Sequence, residues 1–293
     1  MGSVPDIGDR RRGAASGAPG AVPEAEAGAR LTVDLGALAR NWRTLRDRAG
    51  AAECAAVVKA DGYGLGLEPV GQALWAAGAR TFFVAHLGEG RRLRAVLPHA
   101  TIYVLNGLPP GTAPAFAEAG LRPVLGAMAE IEEWASAGAA SPLPAAIHVD
   151  TGMNRLGLSL DEADGLSRRG DLLSECAPAL VMSHFACADT PSHGLNRVQA
   201  ERFERVRALF PGLPGSLANS AALLSTQGSH HDLARPGIAL YGAAACEGHP
   251  PLETVATLEA RIVQVRRAAA GETVGYGATW RAARVLLLQR HLK

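Results

Sequence analysis

Lysine is almost missing from this chain: of 29 basic residues only Lys59 and Lys293 are lysine, and the rest are arginine. Neither sign of charge dominates, with 29 Lys+Arg against 28 Asp+Glu and a net charge of +1 over 293 residues. Such a balance offers no basic face to a nucleic acid and no acidic arm to a partner. Aromatic residues make up only 5%, too few for a platform on which bases stack. The four cysteines, Cys54, Cys176, Cys187 and Cys246, lack the paired spacing of a zinc or redox site. A chain of this length needs no disulfide staples, so reduced thiols in a cytoplasmic protein are expected. No apolar run approaches the roughly 20 residues of a membrane span. The arginines at 10–12 are followed by no apolar segment that would make a secretory signal.

Residues 1–28 are Gly, Ala, Pro, Glu and Arg with almost no large apolar side chain. They cannot bury enough surface to offset their ordering entropy, and they read as a disordered leader. Order is expected from a strand at Leu31–Leu35, running into a helix with Leu38, Trp42 and Leu45 on one stripe. Short apolar runs then recur at 55–58, 81–85, 101–105, 122–125, 145–149, 179–183, 215–219 and 237–242. Between most of them lies a stretch of helical periodicity, such as "LEPVGQALWAAGA" or "NRVQAERFERVRALF". Apolar runs without alternation suit strands covered on both faces, as in parallel sheets. Eight such runs predict an α/β fold, a TIM-like (β/α)8 barrel over residues 29–250, with a doubly wound sheet as the competing arrangement. From residue 251 the pattern changes to β-branched alternation and a Gly-rich turn in "TVATLEARIVQVRRAAAGETVGYGATW". That stretch has the look of an antiparallel strand pair, and residues 251–293 read as an incomplete β-rich C-terminal domain.

Lys59 stands where the apolar "AAVV" run gives way to the glycines of "DGYGLG". In a barrel this is the C-terminal mouth, where catalytic groups gather. A free lysine, with a pKa near 10.4, is a poor nucleophile at neutral pH. Desolvation at a strand end lowers that value and fits the amine to condense with a carbonyl. The glycines let backbone N–H groups approach an anion, and the Tyr63 hydroxyl can donate beside them. Near the last two runs, Asn219, Ser220, Gly237 and Ile238 offer a hydroxyl and close backbone where such barrels often hold phosphate. An Asn-Ser pair is equally an ordinary helix N-cap. Arg235 lies between these two loops. Asp150, Thr151 and Arg155 follow another run, and an arginine there can hold a carboxylate bidentately; a capping Asp-Thr beside a solvated arginine is the competing reading. His184 ends a further run, where its ring could stack on a planar cofactor. His86, His193, His230 and His231 have no metal-ligand spacing, so no metal site is expected.

Six blocks, "AVVKADGYGLG", "HVDTGMNRLGL", "SHFACAD", "LANSAALL", "ARPGIALYG" and "VGYGATW", resemble alanine racemase in order and spacing, over roughly residues 30–280. The resemblance implies a pyridoxal 5'-phosphate barrel followed by a β-domain, assembled as a homodimer, interconverting L- and D-alanine for peptidoglycan. It implies that Lys59 is the catalytic lysine that forms the internal aldimine and serves as the base toward D-alanine. Tyr63, Ser220, Gly237 and Ile238 match phosphate contacts, with Asn219 beside them. His184 matches the histidine next to the ring, Arg155 the arginine near the cofactor phenolate and the substrate carboxylate, and Arg235 the arginine facing the pyridine nitrogen. An always-charged guanidinium keeps that nitrogen unprotonated, which weakens the electron sink and limits side reactions.

Two departures stand out. His148 occupies a position where the family often carries a lysine that steadies the neighbouring arginine. The Gly-Tyr-Ala-Asp-Gly stretch that carries the family's second base is absent, and Tyr276 in "VGYGATW" matches a non-catalytic position. Impaired racemisation is therefore expected of this chain. The final "RVLLLQRHLK" does not resemble the family. A pyridoxal-phosphate homeostasis barrel without turnover and a racemase of another amino acid are the competing functions.

Overall fold

Eight short parallel strands make the sheet, seven of them on the apolar runs. We number them β1 (Glu53–Cys54, resuming at Ala56–Val57), β2 (Thr81–Val84), β3 (Thr101–Val104), β4 (Arg122–Leu125), β5 (Ala145–His148), β6 (Pro178–Met182), β7 (Gly215–Ser216) and β8 (Leu233–Ala234). In the computed structural model each pairs in parallel with the next from β1 to β7, and β8 pairs in parallel with the Glu53–Cys54 half of β1. The ring closes between β7 and β8 through Asp232 N–H to Gly215 C=O at 3.0 Å and Arg235 N–H to Ala218 C=O at 2.9 Å. The structure describes residues 23, 26–138, 142–225, 230–246, 248–249 and 251–291. Of the leader expected at 1–28, all but Pro23 and residues 26–28 lie outside the described residues.

The strands are apolar on both sides because both sides are buried, with successive side chains pointing alternately in and out. Inside the barrel lie Val57, Phe83, Tyr103, Val124, Ala146, Leu180 and Leu233. Outside, Phe82, Val84, Ile102, Leu125, Ile147 and Val181 pack against the helices. Each large side chain so buried contributes about 1.5–3 kcal/mol. Helix Leu35–Ala49, capped by Asp34 through the Ala37 N–H at 2.8 Å, buries the expected Leu38, Trp42 and Leu45. The periodic stretches further on form helices Leu67–Ala77 and Gly194–Leu209.

The last strand is not where the apolar pattern puts it. Residues 237–242, read as a strand, form a 3-10 turn over Ile238–Tyr241, and the strand is Leu233–Ala234. Pro236 cannot donate to a ladder. Beyond it the Gly237 and Ala239 N–H groups turn to the Ser220 hydroxyl, at 2.8 and 3.3 Å, so the chain crosses the barrel mouth instead of extending.

The chain divides into two units, Val33–Ala256 and a second formed by residues up to Thr32 with those from Thr257 onward. The opening strand, expected at Leu31–Leu35, is Ala29–Val33, and it pairs with Ala256–Ala260. Ile262–Ala268 pairs antiparallel with Leu286–His291, and a shorter ladder joins Thr273–Val274 to Trp280–Arg281 across the glycine turn. The strand pair read from the sequence is thus completed by the segment that lacks family resemblance. Among the described residues, no helix is long and apolar enough to cross a membrane.

Candidate active site

The site is built outward from β1. Val58 donates its N–H to Phe83 C=O at 2.8 Å, and the chain then leaves the sheet in a turn of left-handed residues. Ala60, Asp61, Gly62 and Tyr63 have φ of 54, 54, 65 and 55°. For a residue with a side chain this conformation costs about 1–2 kcal/mol, and three of the four carry one. Local bonds offset part of that cost: Gly62 N–H to Val58 C=O at 3.0 Å, Gly64 N–H to Ala60 C=O at 2.8 Å and Gly66 N–H to Asp61 C=O at 2.9 Å. Lys59 heads this turn, half-buried at the barrel mouth.

Lys59, Tyr63, Arg155, His184, Asn219, Ser220, Arg235, Gly237 and Ile238, scattered over 180 positions of sequence, line one cavity of about 430 Å³. No Asp or Glu is among its described lining residues. Neither the Lys59 amine nor the Arg155 guanidinium has a hydrogen bond or ion pair with another described residue. Arg235 is buried, 3% exposed, and donates to Ser216 Oγ, to Ser183 C=O at 2.6 Å and toward His184 Nδ1 at 3.2 Å. Burial brings its pKa down to about 9, so it stays cationic at neutral pH. The two cavity histidines are held neutral. Burial first, then the Arg235 charge, pull His148 to about 4 and His184 to about 3. Three cationic side chains with no carboxylate between them make a receptor for anionic groups.

In the same lining, Asn219 caps the short helix Ser220–Leu224 through the Ala222 N–H at 3.0 Å, and Ser220 Oγ accepts from Gly237 N–H. A Cβ on Gly237 would stand 2.3 Å from the Tyr63 hydroxyl, so glycine alone permits this approach. Tyr63 rests on Tyr241 with ring centroids 4.5 Å apart, and burial raises both phenol pKa values. Each phenol therefore stays protonated and able to donate.

The remaining candidates have structural places. Asp150 accepts from the N–H groups of Gly152, Met153 and Asn154, each at 2.8 Å, and so shapes the loop that carries Arg155. His148 gives Arg155 no hydrogen bond. Thr151 is buried with its hydroxyl 2.8 Å from Ser183 Oγ. His86 caps helix Leu87–Val96, His193 accepts from Leu195 N–H at 3.2 Å, and the His231 ring meets Phe203. None of these three lines the cavity, and among the described residues no cluster suits a metal ion. Tyr276 is fully exposed. The lining also includes Leu105, Asn106, Leu156, Met182 and Ala245, which sequence reasoning missed. An asparagine or leucine just past an apolar run carries no signal of its own, and only the ring closure brings these residues together.

Comparison with known proteins agrees with the six blocks. Residues 33–245 match the family described as "Alanine racemase, N-terminal domain". An alanine racemase of Methylobacterium nodulans is 55% identical over 259 residues, covering 87% of this chain and 70% of that protein. One from Rhizobium meliloti is 48% identical over 260 residues, covering 88% and 69%. The crystal structure of alanine racemase from Bartonella henselae with covalently bound pyridoxal phosphate superposes with a TM-score of 0.82 at 38% identity, covering 90% of this chain and 74% of that one. The chain thus spans about 70% of the length of the relatives it resembles.

Proposed function

The chain belongs to the alanine racemase family, and from that premise we propose that it interconverts L- and D-alanine with pyridoxal 5'-phosphate carried on Lys59. The observation that carries this reading is a cavity with no Asp or Glu among its described lining residues, in which the Lys59 amine bonds no other described residue and cationic and hydroxyl donors share the lining. That donor set suits a ligand bearing both a phosphate and, in its substrate, a carboxylate. The Gly237 cradle beside the Tyr63 hydroxyl is shaped for close approach of an anion. When bound, the cofactor supplies an aldehyde for the lysine and an electron-withdrawing ring that acidifies the Cα proton of the amino acid.

Tyr63, Ser220, Gly237 and Ile238, with Asn219 beside them, would hold the phosphate. Neutral His184 would lie beside the cofactor, buried Arg235 would supply a positive charge to it, and Arg155 would bind the substrate carboxylate. The Lys59 amine moves the Cα proton on the face it borders. The opposite face requires a second group, and the chain carries no Gly-Tyr-Ala-Asp-Gly stretch to provide it. General acid–base help is worth about 10²–10⁴-fold, and racemisation by this chain is slowed on that scale. Exchange of the Cα proton of one enantiomer with solvent survives through Lys59. A homodimer is supported by the second unit, where Leu258, Ile262, Val263, Val265 and Leu287 are each at least half exposed. The setting proposed is cytoplasmic, with D-alanine feeding peptidoglycan.

Borohydride reduction of the loaded protein, followed by peptide mapping, tests the assignment. A label on Lys59 is expected, and a label on any other residue overturns it. Racemisation at the rate of a full-length relative would defeat the missing-base argument.

A further inference from the structure

We propose that Glu89 is a positioning residue for Lys59, holding the left-handed turn in place from the neighbouring loop. The inference rests on Lys59 being the cofactor amine. Glu89 lies in the first turn of the helix Leu87–Val96 that follows β2. One carboxylate oxygen, Oε2, accepts from Ala85 N–H at 2.8 Å and His86 N–H at 3.3 Å, which caps its own helix. The other, Oε1, reaches across to the Asp61 N–H at 3.0 Å, two residues past Lys59. A capping role needs only the first oxygen. One turn further along the same helix, Arg92 donates to Asp61 Oδ1 at 2.8 Å. Backbone and side chain of Asp61 are thus gripped by one helix, in the middle of a turn whose φ angles its own side chains disfavour.

The fold contains a control for this device. Glu130, in the first turn of the helix that follows β4, accepts from Gly126 N–H of its own loop at 2.7 Å and from Leu108 N–H of the preceding loop at 3.3 Å. The arrangement is the same, but the loop it holds carries no lysine and brings only Leu105 and Asn106 to the cavity wall. A carboxylate that merely stabilised the barrel would act alike at both places.

The test compares the full chain with Glu89→Ala, Glu130→Ala and Arg92→Ala by thermal unfolding, by amide hydrogen exchange at residues 60–63 without cofactor, and by the rate at which added pyridoxal phosphate becomes attached to Lys59. Attachment joins the amine nitrogen to the aldehyde carbon with loss of one water. Both glutamate variants are expected to melt earlier by similar amounts. Only Glu89→Ala is expected to speed exchange at 60–63 and to slow attachment by about 10-fold or more, the scale of a reacting group displaced by less than about 1 Å. Should Glu89→Ala fail to melt cooperatively, Arg92→Ala decides, since Arg92 is exposed; a slowing of about threefold, in the range of an exposed ion pair, is expected there. Attachment at the Glu130→Ala rate by Glu89→Ala, or at the wild-type rate by Arg92→Ala, overturns the proposal. A wild-type label away from Lys59 overturns the functional reading instead, and exchange at 60–63 then decides on the clamp by itself.

Discussion

Gly237 leaves almost no space beside it, since a single added carbon would meet the Tyr63 hydroxyl at 2.3 Å and Val57 Cβ at 3.4 Å. Its φ of −121° is not one reserved for glycine, and what an added carbon meets first is a lack of room. In Gly237→Ala the tyrosine, lying on Tyr241, swings aside while the barrel stays folded. The expected outcome is an unfolding midpoint close to wild type with pyridoxal phosphate bound about 10-fold more weakly, as when an optimally placed polar contact worth about 1.5 kcal/mol is lost. Equilibrium dialysis against the cofactor checks it, and undiminished affinity would show that Tyr63 has no part in binding. Lys59 was legible at this scale because the chain has so little lysine that one at a strand end stands out. Glu89 was not legible: its sequence context is that of any helix-capping glutamate, and its reach to Asp61 depends on two loops that only the parallel pairing of β1 and β2 brings side by side.

Among the elements, the 3-10 turn Ile238–Tyr241 is held from outside by helix Leu35–Ala49. Asn41, 2% exposed, donates to Leu240 C=O at 3.1 Å and to Glu253 C=O at 2.9 Å, and accepts from Glu253 N–H at 2.8 Å. Asn41→Ala leaves these backbone groups without partners in a dry place, where each costs about 1–3 kcal/mol. A loss of about 2–4 kcal/mol in urea unfolding is expected, given partial rescue by water; a loss below about 1 kcal/mol would mean that the turn holds itself. The helices with clear stripes and the central strands were legible because burial on one face or on two leaves a periodic trace. The last strand was misplaced by four residues because β8 and the 3-10 turn are equally apolar, and Pro236 between them marks an end that an apolar run does not reveal. The left-handed turn was legible only as a glycine-rich stretch, since two of its strained residues, Ala60 and Tyr63, carry no sequence mark of positive φ.

For the whole molecule, the buried histidines tie stability to pH. An unfolded His148 takes up a proton near pH 6.5, whereas in the fold burial and Arg235 hold it off until about pH 4. Between these values the unfolded chain binds the extra proton, so the stabilising contribution is full above pH 6.5 and lost as pH falls toward 4. The loss is of order 3 kcal/mol at about 1.4 kcal/mol per unit, and His184 acts in the same direction. Urea midpoints measured across this range should drop for wild type and drop less for His148→Gln; equal slopes would remove His148 from the account. What the sequence determined unaided is what short-range physics writes into it: apolar runs alternating with helical stripes, which call for a parallel sheet covered by helices, and a rare lysine beside glycines that marks where chemistry sits. What the tertiary structure alone decided is which distant groups face one another. Pairing of β8 with β1 puts residues 59 and 235 on one cavity with no carboxylate among its described lining residues, and the pairing of β1 with β2 sets a glutamate from the next loop against the lysine turn. Neither juxtaposition leaves a periodic trace, because through-space contact depends on strand order and register, and these are settled only when the whole sheet forms.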